Sequence, residues 1–450
     1  MRSLLVAAAT LVVSVAASFG CGGGSGPVKP YTLAKVQAEP ATGQAGKTLS
    51  AAPVIEARDA GGGPVAGLTV SLDVEAGGGS LASAMVVTGE DGKALINWTL
   101  GKAPVPNRLR ASINAGTPDE SAVTFDVQGV LDTPVTPEFF ADVNAFMADN
   151  GIEGSTEDLA FTDDGGLLMG VKGGLLSVAP DGTVTALELT GDPIGTALGI
   201  AVDKDGNIWV ADNTGKALRK VDAKGKVETV LENDGNSDLE APNYVAVGPS
   251  GDIYLSDPCV GEIIRWDPVQ GKVVARLSFD LKTEGGPNGF AFNAAGDRMF
   301  ILTENTGVLC GQGDVDMKAP LAGLFSVEIK ENGFGERDAV ATGIGLFGDG
   351  MAFDSEGNLY VIIDRLLEGT FVLEDSAIWV LPEGGKELFR FASLEDPQHD
   401  GIMANVAFGS GDFGAGTLYI ALLSMPPFSP ADKRGLMAVD VGIGGQPLFR

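Results

Sequence analysis

The sequence predicts an all-β chain, a β-sandwich followed by a six-bladed β-propeller, and three observations carry that reading. The first is a motif that recurs six times from Glu157 onward. It reads Glu157-Asp158-Leu159-Ala160-Phe161, Leu198-Gly199-Ile200-Ala201-Val202, Asn243-Tyr244-Val245-Ala246-Val247, Asn288-Gly289-Phe290-Ala291-Phe292, Asp349-Gly350-Met351-Ala352-Phe353 and Ala404-Asn405-Val406-Ala407-Phe408. Successive starts lie 41, 45, 45, 61 and 55 residues apart, a spacing that fits propeller blades of short strands. The second is that each motif leads into a Gly-containing turn and a second apolar run, such as Asn207-Ile208-Trp209-Val210 or Asn358-Leu359-Tyr360-Val361. The third is the alternation of apolar and polar residues from about Thr32 to Gly129, in short runs broken by Gly and Pro, which predicts about seven sandwich strands.

The invariant Ala of the motif is expected where the innermost strands of a propeller converge on a central channel and leave no room for large side chains. A solenoid would need capping patterns that the chain lacks. These patterns divide the chain into a signal at 1–21, a Gly/Ser/Pro tether at 22–31, the sandwich at 32–129, a linker at 130–155 with a short helix or edge strand, and the propeller at 156–450.

The N-terminus sets the compartment. Arg2 precedes an apolar run from Leu4 to Ala17, too short to span a bilayer comfortably, and Cys21 stands before Gly22-Gly23-Gly24-Ser25-Gly26. This resembles a bacterial lipoprotein signal, in which cleavage leaves a lipid on the cysteine, although Ser18 stands where an aliphatic residue is usual. An ordinary secretory signal is the alternative. Either means export, lipid-anchored to the cell envelope at the outer membrane or secreted, with the membrane reached only through the N-terminal lipid. In that oxidising compartment Cys259 and Cys310 could form one disulfide between neighbouring loops or remain two buried thiols.

The chain carries 60 acidic against 30 basic residues, a formal net charge of −30. Such a surface repels nucleic acid and attracts cations. The single His399 excludes His-rich metal sites and leaves any Ser–His–Asp triad dependent on one residue. Asp203-Lys204-Asp205-Gly206-Asn207 opens like a calcium loop. The same place in other repeats holds Thr162-Asp163-Asp164-Gly165 and Pro249-Ser250-Gly251-Asp252, so it reads as a hairpin turn with Gly at positive φ.

The first position of the motif behaves differently from the rest. It holds Glu157, Leu198, Asn243, Asn288, Asp349 and Ala404, and a propeller would set these six side chains in a ring at one mouth. Four are oxygen donors, two of them carboxylates, a set that suits Ca²⁺ or another hard divalent metal.

Two family resemblances attach to these residues. Ala76-Gly77-Gly78-Gly79-Ser80-Leu81, Thr88-Gly89-Glu90-Asp91-Gly92-Lys93-Ala94 and Trp98-Thr99-Leu100-Gly101 resemble the bacterial immunoglobulin-like domains of the invasin type, which implies a spacer or adhesive module. Residues 150–450 resemble the senescence-marker-protein, gluconolactonase and luciferin-regenerating-enzyme propellers. Pro287-Asn288-Gly289, Asp349-Gly350-Met351-Ala352-Phe353-Asp354 and Ala404-Asn405-Val406-Ala407-Phe408-Gly409 carry the match. The resemblance implies a divalent metal, Ca²⁺ by preference, on Glu157, Asn243, Asn288 and Asp349; for a lactonase- or esterase-type hydrolase built on that site, Asp349 is the expected catalytic base. Its lactonases carry an Arg two residues before the third-blade Asn and an acid after it, where this chain has Ala241 and Tyr244. The Asp-Gly-Asn turns fit NHL-repeat propellers equally well, so a non-catalytic propeller with a structural ion, binding a ligand or an envelope partner, stands beside the enzyme on a small-molecule lactone or ester.

The anchor has a direct check. Cys21→Ala is expected to move the protein from the membrane fraction to the soluble fraction with unchanged folding. Unaltered membrane association would leave the secretory signal as the better reading.

Overall fold

The computed structural model describes residues 31–450 except 155, 163–164, 233–238, 312–314, 317, 368–369, 371 and 425–434; Cys21, the signal and the tether at 22–30 lie outside the described residues. Strand alternation organises the first hundred of them. In Thr69–Ala76 the residues Val70 and Leu72 are buried while Thr69, Ser71 and Asp73 face solvent, the period-two pattern of a half-buried strand. A three-stranded sheet (Thr32–Lys35, Val54–Arg58, Lys93–Leu95) and a five-stranded sheet (Thr42–Gln44, Ser121–Val130, Pro106–Ile113, Thr69–Ala76, Met85–Val87) enclose one core. Ile55, Val70, Ile96, Trp98, Leu109 and Phe125 fill it, each fully buried.

Six further sheets come next along the chain, and they form a propeller-like all-β array. Their innermost strands are Leu159–Phe161, Ala197–Val202, Val245–Val247, Gly286–Phe292, Phe347–Phe353 and Ile402–Phe408. Each packs beside the next, and the sixth packs beside the first, so the inner strands close a ring. From each inner strand the sheet runs outward through antiparallel hairpins to its second and third strands and, in the first five sheets, on to a fourth.

The segment 130–155, expected as a linker with a short helix or an edge strand, contains both. Val143–Asp149 is the helix, with Asp142 accepting from Ala145 N at its N-cap, 2.8 Å. Glu138–Ala141 is a strand, and it pairs antiparallel with Gly435–Asp440 as the outermost strand of the last sheet. A strand that precedes the first sheet in sequence thus completes the last one, which joins the two ends of the array and covers an edge that would otherwise be open.

Close approach at the axis explains the second position of the motif. A Cβ on Gly289 would lie 2.2 Å from the Asp349 carbonyl oxygen, one on Gly199 2.4 Å from that of Asn243, and one on Gly350 1.8 Å from Asn405 Oδ1. In the other three sheets that position carries Asp158, Tyr244 and Asn405, which fill the axis instead. The Asn405 amide donates to Asp158 Oδ1, which also accepts from Leu159 N at 2.7 Å. Asp158 Oδ2 accepts from Ile200 N at 2.6 Å, so one side chain ties the first, second and sixth sheets together. The Tyr244 ring packs edge-on against Phe290, centroids 5.0 Å apart.

On the other side of this lock the six motif alanines line a single apolar cavity of about 120 Å³, closed by Gln446–Arg450. Gln446 Nε2 donates to the Phe292 carbonyl at 3.0 Å, and the Arg450 guanidinium donates to that of Phe161 at 2.9 Å.

The two units share a boundary. Ala103 and Val105 of the first pack into the apolar cluster of Tyr360, Ile362, Phe391 and Val439, and Gly77 N donates to Glu356 Oε2 at 2.7 Å.

Because the Asp349 carbonyl belongs to the backbone and cannot rotate away, Gly289→Ala is expected to destabilise the chain by about 2–3 kcal/mol through overpacking. Gly333→Ala, where nothing lies within 4 Å, should leave the midpoint of denaturant unfolding unchanged. Equal midpoints for the two variants would show that the ring has slack.

Candidate functional site

The inner strands are interrupted where the first motif position falls. Their ladders shift register between Ala197 and Gly199, between Pro287 and Phe290, between Gly348 and Met351, and between Met403 and Asn405. A bulge releases a residue from the ladder and re-aims its side chain, and these four bulges hold Leu198, Asn288, Asp349 and Ala404. Glu157 and Asn243 sit just ahead of their strands, Leu159–Phe161 and Val245–Val247, and reach the same end of the channel.

Glu157, Asn243, Asn288 and Asp349 all line one cavity of about 360 Å³ at that mouth, with Leu198 beside them. Asn243 Nδ2 donates to Glu157 Oε1 at 2.8 Å. Two further carboxyl groups line the cavity that the motif does not contain: Glu304, within the strand Arg298–Glu304, and Asp364, within Leu359–Leu366. They stand opposite Gly286 and Phe347, the first residues of the fourth and fifth inner strands. Among the described residues the lining holds no Lys, Arg or His.

Burial without a counter-charge dominates the electrostatics. Loss of solvent pushes Glu157 up to about 7, against the Asn243 hydrogen bond that favours its charged form. It pushes Glu304 up to about 8, reinforced by the Glu157 charge and opposed by the Asn288 amide. Asp349 is raised well above the usual carboxylate range, first by burial and then by Glu157, Glu304 and Asp364. Asp364 is raised likewise by burial, opposed by Ser376. Below the mouth, burial takes Asp158 up to about 8 despite its three hydrogen bonds.

Several buried oxygens of the lining residues have no partner. Asn288 Oδ1 and Glu304 Oε1 are buried and accept no hydrogen bond, and neither do the two Asp364 oxygens. Such groups are costly unless something else satisfies them. Among the described residues no three His, Cys, Asp or Glu side chains form a ligand cluster by themselves, so a metal here must also draw on the two amides. The donor set is entirely oxygen, carboxylate and amide, which fits a hard cation of the Ca²⁺ type.

The remaining sequence candidates fall around this mouth or away from it. Cys259 and Cys310 are disulfide-bonded, Cα atoms 5.5 Å apart. The bond joins the loop after Ile253–Asp257 to the end of the short helix Thr306–Leu309, and Cys259 lines the cavity. His399 is exposed and hydrogen-bonds Asp396 Oδ2 at 2.8 Å, outside the cavity. Asp203 is a turn residue: its Oδ1 accepts from Asp205 N and Asn207 N, 2.9 Å each. Tyr244 lies in the axial lock, and Ala241 lines the mouth where the resemblance has an Arg.

No family model matches the chain. In sequence it is similar to a gluconolactonase from Zymomonas mobilis, 27% identical over 183 residues, which are 36% of this chain and 48% of that protein. The chain therefore spans about half the length of the curated relative it matches. Among solved structures it resembles a gluconolactonase from Xanthomonas campestris, at 17% identity and a TM-score of 0.47 over 68% of this chain and 97% of that one. It also resembles regucalcin, a calcium-binding protein from Agrobacterium tumefaciens, at 18% identity and 0.49 over 70% and 97%. A luciferin-regenerating enzyme gives 14% and 0.49 over 71% and 100%.

The raised carboxyl groups make a signed prediction for the metal-free protein. A carboxyl whose folded pKa exceeds its unfolded value binds more protons when folded, so its contribution is present below about pH 4.5 and is lost as pH rises through the folded pKa. For Glu157 and Glu304 that window runs from about pH 4.5 to about 8. In chelator, the thermal midpoint is expected to fall across this window, and millimolar Ca²⁺ should flatten the fall. A midpoint that rises with pH in chelator would contradict the electrostatics described.

Proposed function

We propose that this chain is an exported six-bladed β-propeller, carried on an immunoglobulin-like spacer and anchored through Cys21. It hydrolyses lactone- or ester-type substrates with a divalent cation, Ca²⁺ by preference, at one mouth. The observation that carries the reading is the meeting of Glu157, Asn243, Asn288 and Asp349, from four different sheets, in one cavity. The local similarity to a gluconolactonase supports the lactone-type chemistry.

When bound, the cation supplies charge compensation and polarisation of the substrate carbonyl. Glu157 and Asp349 provide the charged ligands, and the Asn288 carboxamide offers an oxygen with no other partner. Asn243 holds Glu157 through its amide nitrogen, and a half-turn of that amide presents its oxygen instead. Asp349, deepest in the mutual repulsion of the four carboxyls, is the general base that takes the proton of the attacking water. Leu198, Ile402 and Leu423 line the wall with apolar surface that keeps bulk water back.

A second reading has a specific observation behind it. With Ala241 in place of an Arg, no guanidinium at that position can orient a sugar lactone. A non-catalytic propeller that binds a ligand or envelope partner over a structural ion would show the same quartet.

Asp349 separates the two. Asp349→Asn is expected to retain Ca²⁺ by calorimetry and to lower kcat on a lactone panel by about 10²–10⁴-fold, because the amide cannot accept a proton. Asp349→Ala should also weaken Ca²⁺ binding. If wild type hydrolyses no lactone or ester and both variants shift only the thermal midpoint, the ion is structural. If wild type binds no divalent cation, neither reading stands.

A further inference from the structure

Glu304 and Asp364 occupy a position that recurs in the fold and is used differently elsewhere. In the second sheet the same place, opposite the first residue of the inner strand, holds Asp212. Its carboxylate accepts from Gly195 N, Thr196 N and Gly215 N at 2.9–3.0 Å and pairs with Arg219 Nε at 2.9 Å. In the third sheet the last residue of the second strand, Asp257, accepts from Glu240 N at 2.7 Å, Ala241 N at 3.1 Å and Val260 N at 3.2 Å. Both are loop-holding residues.

In the fourth sheet the loop is held by the next residue. Asn305 accepts from Gly307 N at 3.0 Å and donates to the Asp316 and Ala319 carbonyls, 2.8 Å each. Glu304 is thereby released from the loop; it is 3% exposed, lines the cavity, and its Oε1 has no hydrogen-bond partner. Asp364 is fully buried on the same cavity, and neither of its oxygens has a hydrogen-bond partner; the Ser376 hydroxyl, opposite it in the ladder, accepts from Met403 N at 2.9 Å.

Charge makes these two carboxylates informative. One divalent ion on the quartet compensates Glu157 and Asp349 and leaves Glu304 and Asp364 without a partner, in a lining that holds no basic residue among those described. Three buried acceptor oxygens then await donors, beside the apolar Phe347 and Leu309. We propose that Glu304 and Asp364 form an ammonium subsite, so that the substrate is an ester or lactone bearing a primary alkylammonium group. A primary ammonium offers three N–H donors to those three oxygens, and its alkyl chain suits the apolar wall. A quaternary ammonium has no N–H donor. The inference rests on the cation reading for its charge balance and on the hydrolase reading for its reaction.

The test uses the full chain in two arms. In the first, Ca²⁺ and then n-pentylammonium chloride are titrated by calorimetry. Wild type should take one Ca²⁺ and then the amine, and Glu304→Gln and Asp364→Asn, checked for unchanged far-UV circular dichroism, should each weaken the amine at least about tenfold. In the second, p-nitrophenyl 6-aminohexanoate is compared with p-nitrophenyl heptanoate, which carries a methyl group where the other has its ammonium. The kcat/KM ratio should favour the ammonium ester by at least about tenfold and collapse toward one in both variants. Amine binding without hydrolysis of either ester would support the subsite and overturn the hydrolase. The subsite is overturned if wild type binds no amine with or without Ca²⁺, or if both variants bind it as wild type does. It is also overturned if a second Ca²⁺ binds and is lost in Glu304→Gln, which would make the pair a metal site.

Discussion

Everything at the working end depends on how closely six inner strands approach one axis. Where Gly199, Gly289 and Gly350 stand, the backbone or side chain of the next strand occupies the space a Cβ would need. That proximity lets Glu157, Asn243, Asn288 and Asp349, drawn from strands as much as about 190 residues apart in sequence, line one cavity of about 360 Å³. The bulges arise from the same constraint. A residue in a regular ladder would point across the sheet, whereas a residue released at Pro287–Phe290 or Gly348–Met351 points along the channel into the mouth. Spacing and bulge together convert a repeated structural motif into a ring of chemically distinct groups.

The ring was legible in the sequence because one motif position varied while its neighbours did not. The alanines were legible for the opposite reason, since the axis tolerates little else, and all six line one cavity. Three features were not. The strand Glu138–Ala141 joins the last sheet across some three hundred residues, a pairing that no local pattern announces. Asp158, Tyr244 and Asn405 interrupt what looks like a run of spacing glycines, and only the hydrogen bonds among neighbouring sheets show them to be a lock. Glu304 and Asp364 share a repeat position with Asp212 and Asp257, whose carboxylates hold loops. All four are acids; the difference lies in which backbone N–H groups come within reach, and that is fixed by loop conformation.

Four acids are crowded at this one mouth. An isolated ionised carboxyl in a dry site would rather take a proton than remain charged, and Glu157, Glu304, Asp349 and Asp364 all move in that direction. Protons therefore compete with any cation held by the same oxygens. The Asn243 amide lowers the cost for Glu157, and Asn288 does so for Glu304. Neither amide brings a charge, so the site holds its acids in place without neutralising them.

The channel itself divides into two halves of opposite character. Oxygen donors line the mouth; below them Asp158, bonded to Ile200 N, Leu159 N and the Asn405 amide, spans the axis; below that lie the six alanines and the segment Gln446–Arg450. The lock belongs to both halves, because Asp158 adds its charge to the field at Asp349 while its hydrogen bonds fix the strands that carry the site. The far cavity, at about 120 Å³ and walled by alanine and phenylalanine, offers no oxygen ring of its own. A cation or polar ligand held at the mouth gains nothing by moving inward, since it would exchange several buried oxygens for apolar surface. The polar half of the channel is thus one end of the ring, the end that Cys259 of the Cys259–Cys310 disulfide lines.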